Sequence, residues 1–211
     1  MGRRLRARTL QGVPFRVRAQ ASGNDSLGLM QESLTGQLLL ASPSLQDPNF
    51  ARTVVLIGLH NDEGAMGVVL NRPSTVTIGE AVPQLQPAVD ELERVYIGGP
   101  VHPTSVVCLG EFVDPGRAEL IVLGRIGFPA AGTEVEDLAE VTERLRVFAG
   151  YAGWGEGQLD AEIERGDWIA DAALPEDVFS ESAEALWSHV LTRKGGSYAL
   201  LARMPLDPSA N

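Results

Sequence analysis

Hydrophobic positions cluster most densely between Gly36 and Pro73, in the stretch GQLLLASPSLQDPNFARTVVLIGLHNDEGAMGVVLNRP. Two apolar runs, Thr53–Leu59 and Ala65–Leu70, flank His60-Asn61-Asp62-Glu63-Gly64, whose short polar side chains and closing glycine suit a tight reversal. The pattern predicts a β-hairpin. Both arms are continuously apolar, whereas a half-solvated strand would alternate, so the pair is expected at the centre of the core with both faces covered. Gly36–Ala41 predicts a strand before it, ended by Ser42-Pro43-Ser44 and the turn Asp47-Pro48-Asn49.

Beyond the hairpin, Asn71-Arg72-Pro73-Ser74 breaks the strand, because proline removes a ladder donor and holds Arg72 extended. Thr77–Asp90, interrupted by Pro83 and Pro87, predicts one or two short helical turns. Arg94–Ile97 predicts a strand ended by Gly98-Gly99-Pro100. Ser105–Leu109 and Glu119–Leu123 predict a second hairpin across Asp114-Pro115-Gly116. In Glu134–Ala149, the residues Val135, Leu138, Val141, Leu145 and Phe148 recur at three- and four-residue spacing, which predicts a helix. Thr133 with Glu136 matches a capping box, acids fill the first turn, Arg144 and Arg146 the last, and Gly150 stands as its C′ glycine. Helix Gln158–Arg165, strand Trp168–Ala172, helix Glu181–Arg193 and a final strand Ser197–Ala202 complete the body.

Charge is most informative by position. The chain carries a net −11, yet six arginines (Arg3, Arg4, Arg6, Arg8, Arg16, Arg18) precede the first acid, Asp25. Without those six, 11 basic residues face 28 acidic ones, so the body carries −17. Such a body repels phosphate backbones, and direct nucleic-acid binding by it is not expected. Residues 1–29 show no hydrophobic period and end in Ala21-Ser22-Gly23-Asn24-Asp25-Ser26. They read as a flexible Arg-rich tail, either an organellar leader or an extension upstream of a start near Met30, and composition favours the second. Residues 30–205 are expected to form one domain and 206–211 a loose C-terminus. All apolar runs are strand-sized, so no membrane span is expected.

A lone cysteine, Cys108, excludes an internal disulfide and a cysteine-rich metal site, and it points to a reducing compartment, the cytoplasm. In the run Ser105–Gly110 it reads as a small buried apolar group. No cofactor or metal site is expected. Arg72 presents a five-donor fork in a fixed direction, suited to a carboxylate or phosphate, or else to a structural ion pair with a nearby acid. Asn71 suits a turn cap. In Gly150-Tyr151-Ala152-Gly153-Trp154-Gly155-Glu156-Gly157, four glycines precede a helix, as in loops that cradle phosphates, but no Gly-Lys-Ser/Thr follows and Glu156 opposes an anion. The glycines instead suit a sharp turn that takes Tyr151 and Trp154 into the core.

Three blocks, the Gly36–Pro73 stretch, VYIGGPV (Val95–Val101) and GYAGWGEGQLDAEIERGDWI (Gly150–Ile169), closely resemble the YqgE/AlgH family of bacterial proteins in content and order. The resemblance runs from about Leu34 to about Val190. It implies a compact α+β domain with a mixed, strongly curved sheet flanked by helices. It also implies a family without an established biochemical activity, one branch of which is described as a transcriptional regulator of alginate synthesis. Many relatives carry a cysteine where this chain has Gly58, so a thiol role at that position cannot operate here. Where relatives continue after GGPV with a Gly-Phe-Val-Leu-His pattern, this chain reads Ser105-Val106-Val107-Cys108-Leu109 and lacks the histidine.

Two functions compete, with no catalytic residue assigned. A non-enzymatic binding or regulatory protein acting indirectly would gather Asn71, Arg72, Gly98, Gly99, Tyr151 and Trp154 around a small anion. A hydrolase-like enzyme would use the same strand-end loops, with His60 beside Asp62 and Glu63 as its acid–base group, although adjacent turn residues seldom converge on one point. A protein-interaction module is a third reading. The chain is expected as a monomer or homo-oligomer.

Overall fold

The apolar pair is a hairpin, β2 (Val54–Asn61) against β3 (Gly64–Val69), in antiparallel register Leu56↔Val68. The computed structural model describes residues 33–45 and 47–204, so the expectations for residues 1–29 and 206–211 lie outside the described residues. Preceding the hairpin is β1 (Gln37–Ala41), and after it come β4 (Pro73–Thr77), α1 (Ile78–Ala81), β5 (Arg94–Ile97), β6 (Val101–Phe112), β7 (Leu120–Leu123) and β8 (Ile126–Phe128). Then follow α2 (Val135–Val141), β9 (Thr142–Trp154), α3 (Gln158–Glu164), β10 (Trp168–Ala172), α4 (Pro175–Val178), α5 (Leu186–Lys194) and α6 (Tyr198–Leu201).

Continuous apolarity of the hairpin has a direct cause. Val54 and Leu56 point into one core with Leu38, Leu40, Met66, Val68 and the α5 residues Trp187, Val190 and Leu191. Val55 and Ile57 point into a second core with Leu39, Ala41, Val69, Trp154, Leu159 and Trp168. Each successive side chain is therefore buried, at about 1.5–3 kcal/mol apiece for the larger aliphatics. A third core, around Ile78, Leu85, Val95, Cys108, Leu138, Leu145 and Val147, sits under α1 and α2.

Strand order is β10-β1-β2-β3-β9-β6-β8-β7, antiparallel throughout this path, with β4 on β5 and β5 parallel to β9. The sheet is thus mixed and the fold α+β. Its far end curls back on its start: a Cβ on Gly36, just before β1, would overlap the carbonyl of Val122 in β7.

The expected helix Glu134–Ala149 is mostly a strand. Only Val135–Val141 is helical, its N-cap is Glu134 without a side-chain cap, and Thr133 donates to the Ala130 carbonyl instead of closing a capping box. Thr142–Trp154 is β9, the strand on which the sheet turns, paired with β3, β5 and β6. Leu145, Arg146, Val147 and Phe148 are all buried in succession, which one helical stripe cannot achieve and a strand covered on both faces can. Gly150 is consequently a strand residue, and Arg144 and Arg146 belong to β9.

Ser105–Leu109 and Glu119–Leu123 do not form a hairpin with each other. The three-residue β8 lies between β6 and β7 and pairs with both; it is too short to register as a period. Ser197–Ala202 is not a strand, because Gly195-Gly196 restarts the chain as α6, which lays Tyr198, Leu201 and Ala202 on the α5 core at helical spacing. Glu181–Arg193 is helical only from a 3₁₀ turn at Ala183–Ala185 onward.

Candidate functional site

Three of the predicted loop segments meet as backbone. Val69 N donates to Gly98 O at 2.9 Å, Ile97 N to Arg72 O at 2.8 Å, and Gly98 N to Ala149 O at 2.9 Å, so the ends of β3, β5 and the middle of β9 join side by side. Gly150 (φ 71) bends β9, and a Cβ there would lie 2.6 Å from Gly99 O. Gly99 (φ 152) leaves no room for any side chain, since a Cβ would overlap the Tyr151 carbonyl.

Side chains from this junction diverge. Tyr151 enters the α5 core and Trp154, three residues on, the opposite one. Asn71 clamps the Asp47–Thr53 loop: its Oδ1 accepts from Val54 N (2.9 Å) and its Nδ2 donates to Arg52 O (2.8 Å). Arg72 reaches the same loop, donating from Nη2 to Pro48 O (3.0 Å) and Ala51 O (3.1 Å). Partial burial lowers the guanidinium pKa, with Asp47 acting the other way. Arg72 forms no ion pair among the described residues, so its sequence-level alternative, a salt bridge, is replaced by bonds to carbonyls. Phe50, at the tip of that loop, stacks on Trp154 (6.3 Å between centroids) and meets Trp168 edge-on (5.4 Å). Asn71, Arg72 and Trp154 therefore converge on the Asp47–Thr53 loop, while Gly98, Gly99 and Tyr151 line the β9 bend behind it.

Residues not anticipated from sequence complete the region. Glu162 Oε2 accepts from both indoles, Trp154 Nε1 and Trp168 Nε1, each at 2.8 Å, and Oε1 accepts from Gln158 Nε2 at 2.9 Å. The Gln158-to-Glu162 spacing of four on a helix was the one legible signal. His102 is an exposed non-glycine residue at φ 46, in a segment of β6 where the register with β9 shifts, and its ring lies 6.0 Å from Tyr151. Arg146 is buried with its guanidinium over Tyr96 (4.3 Å), donating to Val178 O (2.6 Å) and Ser180 O (3.1 Å). Arg146→Lys keeps the charge but loses the fork, and it is expected to lower unfolding free energy by about 2 kcal/mol, read by urea denaturation.

His60 is not joined by Asp62 or Glu63, both exposed in the turn. Its Nδ1 accepts from Leu34 N (3.1 Å), which assigns the proton to Nε2, and that nitrogen faces Asp160 Oδ1 at 3.5 Å. With Nδ1 taken up by Leu34 N, the imidazole holds the chain before β1 to the hairpin end. Among the described residues, no group of three or more His, Cys, Asp and Glu is placed to hold a metal ion. At Gly58, where relatives were expected to carry cysteine, the Phe128 ring lies 2.6 Å from any added Cβ. Cys108 is buried, and desolvation pushes its thiol up to about 12. A thiol-reactive dye should therefore label the folded protein at pH 8 at least about a hundredfold more slowly than the protein in denaturant, because burial blocks access and disfavours the thiolate.

An AlgH-like family model (DUF179) matches residues 38–199, from β1 into α6. The chain belongs to the AlgH-like family. UPF0301 proteins of Streptomyces coelicolor (46% identical over 187 residues, 85% of this chain and 96% of the relative) and Mycobacteroides abscessus (41% over 181 residues, 83% and 87%) are similar along their length. Among solved structures, protein DIP2367 of Corynebacterium diphtheriae superposes with a TM-score of 0.74 at 34% identity, covering 82% of this chain and 94% of that one. The AlgH protein of Pseudomonas aeruginosa superposes with a TM-score of 0.63 at 31% identity, covering 87% and 98%. The AlgH-like match takes in the β3–β5–β9 junction, the Asp47–Thr53 loop and the Trp154–Glu162–Trp168 cluster alike. No helix among the described residues is long and apolar enough to cross a membrane.

Proposed function

We propose that this AlgH-like protein is a non-enzymatic binding or regulatory protein that takes a small anion at Arg72 and acts indirectly, without touching nucleic acid itself. The observation that carries this reading is the state of Arg72: a half-buried guanidinium bonded to two carbonyls of one loop, with no carboxylate paired to it among the described residues. Asp47 offsets part of that desolvation through space without forming an ion pair, and an anion bonded directly to the guanidinium would supply the rest. The loop it holds is tied at its other end by Asn71, so occupancy at Arg72 bears directly on the loop's position. The −17 body favours a small anion over a phosphate polymer.

Thermal melts with inorganic phosphate, citrate and mononucleotides at millimolar concentration test this. One of these probes is expected to raise the melting temperature by about 2–5 °C, and Arg72→Ala to abolish the rise. A response that Arg72→Ala leaves intact, or none from any probe, overturns the reading.

A further inference from the structure

We propose that the basic end of α5 guards an open edge of the sheet, and that the edge beneath it is a self-pairing surface for a second copy of this chain. Among the described residues β10 is terminal in the strand order and pairs only with β1. Ser42 N donates to Asp167 O, which turns the odd positions of this strand toward β1. The main-chain groups of Ala170 and Ala172 therefore face away from the sheet.

Two cations occupy the place of a neighbouring strand's donors. Lys194 Nζ donates to Ala170 O at 2.9 Å, and Arg193 Nη2 to Ala172 O at 3.3 Å. Asp171 anchors both, at 3.1 Å from Lys194 and 3.7 Å from Arg193. Asp177 grips Arg193 with both oxygens at 2.8 and 2.9 Å, and the Tyr198 ring lies 5.3 Å from the Lys194 ammonium. Charged side chains laid along a sheet edge block pairing with another strand.

A second copy is the occupant the edge fits. Two β10 strands related by a two-fold axis run antiparallel and offer each other the same outward N–H and C=O groups, so the interface is its own complement. Of the outward positions, Trp168 buries its indole in the second core and Ala170 and Ala172 carry only methyl groups, which allows two edges to approach. Net charge of −11 on each copy opposes association, so pairing must come from the exposed ladder groups once the guard is removed.

Sedimentation velocity at matched concentrations tests this on the full chain. Arg193→Gln/Lys194→Gln/Asp171→Asn removes both cations and the carboxylate they neutralise, and it is expected to raise the dimerisation constant about tenfold or more over the parent. Adding Ala172→Pro, which deletes an outward donor without touching a bond to β1, should return it to the parent value. Arg94→Gln/Arg117→Gln, which removes two exposed cations away from β10, should change nothing. A folded triple variant that sediments like the parent overturns the proposal, as does a gain shared by the control pair or one that survives the proline. Should the triple variant fail to fold, Lys194→Gln, which keeps the Arg193–Asp177 clasp, decides by the same measurement: a raised constant supports the guard and an unchanged one overturns it.

Discussion

Gly150→Ala and Gly99→Ala are each expected to lower the unfolding free energy by about 3–5 kcal/mol or to prevent folding, and Gly157→Ala by only about 1 kcal/mol. All three glycines have positive φ, at 71°, 152° and 63°. A methyl group on Gly157 meets nothing within 4 Å, so only the left-handed backbone is penalised. On Gly150 it meets Gly99 O, Val101 O and Pro103 Cα at 2.6–3.0 Å, and on Gly99 it overlaps the Tyr151 carbonyl. Those atoms are backbone and cannot swing aside. Because β3, β5 and β6 all pair with β9 near this bend, relief of the clash must displace several ladders together. Urea titration of soluble variants, together with soluble yield, reads the contrast. Gly150→Ala losing no more than Gly157→Ala would falsify the claim that the three segments are pressed backbone to backbone.

Glu162→Ala should cost about 3–5 kcal/mol, and Glu162→Gln about 1 kcal/mol. Alanine leaves two buried indole N–H groups, Trp154 and Trp168, without their acceptor and frees Gln158. Glutamine keeps one carbonyl oxygen that both indoles can still reach, but its amide meets the Gln158 amide donor to donor. The chain has three tryptophans and two of them ring this carboxylate, so near-ultraviolet circular dichroism reports the site alongside the melt. The expected signature is loss of tryptophan ellipticity in the alanine variant at temperatures where its far-ultraviolet signal persists. Equal stability of the two variants would show that the indoles find other acceptors.

How much of this was legible follows from where each element draws its stability. β1, β2 and β3 appear in the sequence because each is an apolar run bounded by Gly, Asn or Ser, and burial on both faces writes itself as continuous hydrophobicity; β5 and β10 are partly exposed and show only as short runs holding Val, Ile, Tyr and Trp. β9 does not, since Val135, Leu138, Val141, Leu145 and Phe148 satisfy a helical period by coincidence. What overrules it is pairing with β6, more than thirty residues earlier in the chain, and no local window carries that information. Within the site, Gly98-Gly99 marked the end of β5 and Asn71 a cap. Which way Tyr151 and Trp154 would face depends on β9 being a strand, so reading Gly150–Gly157 as a turn placed both aromatics together when the pleat separates them. Glu162 was hidden for a similar reason: its partners come from a strand before it and a strand after it.

Pairing of Ala41 with Trp168 joins the opening strand of the sheet to its last one. During synthesis at roughly 5–20 residues per second, the N-terminal strands wait about 6–25 s before their partner leaves the ribosome. For that interval the two oily arms have neither cover in place, and a nascent chain of this design depends on chaperones or on fast C-terminal emergence to avoid aggregation. Slowing translation between β3 and β9 with rare codons should therefore reduce soluble yield without altering the stability of the purified protein.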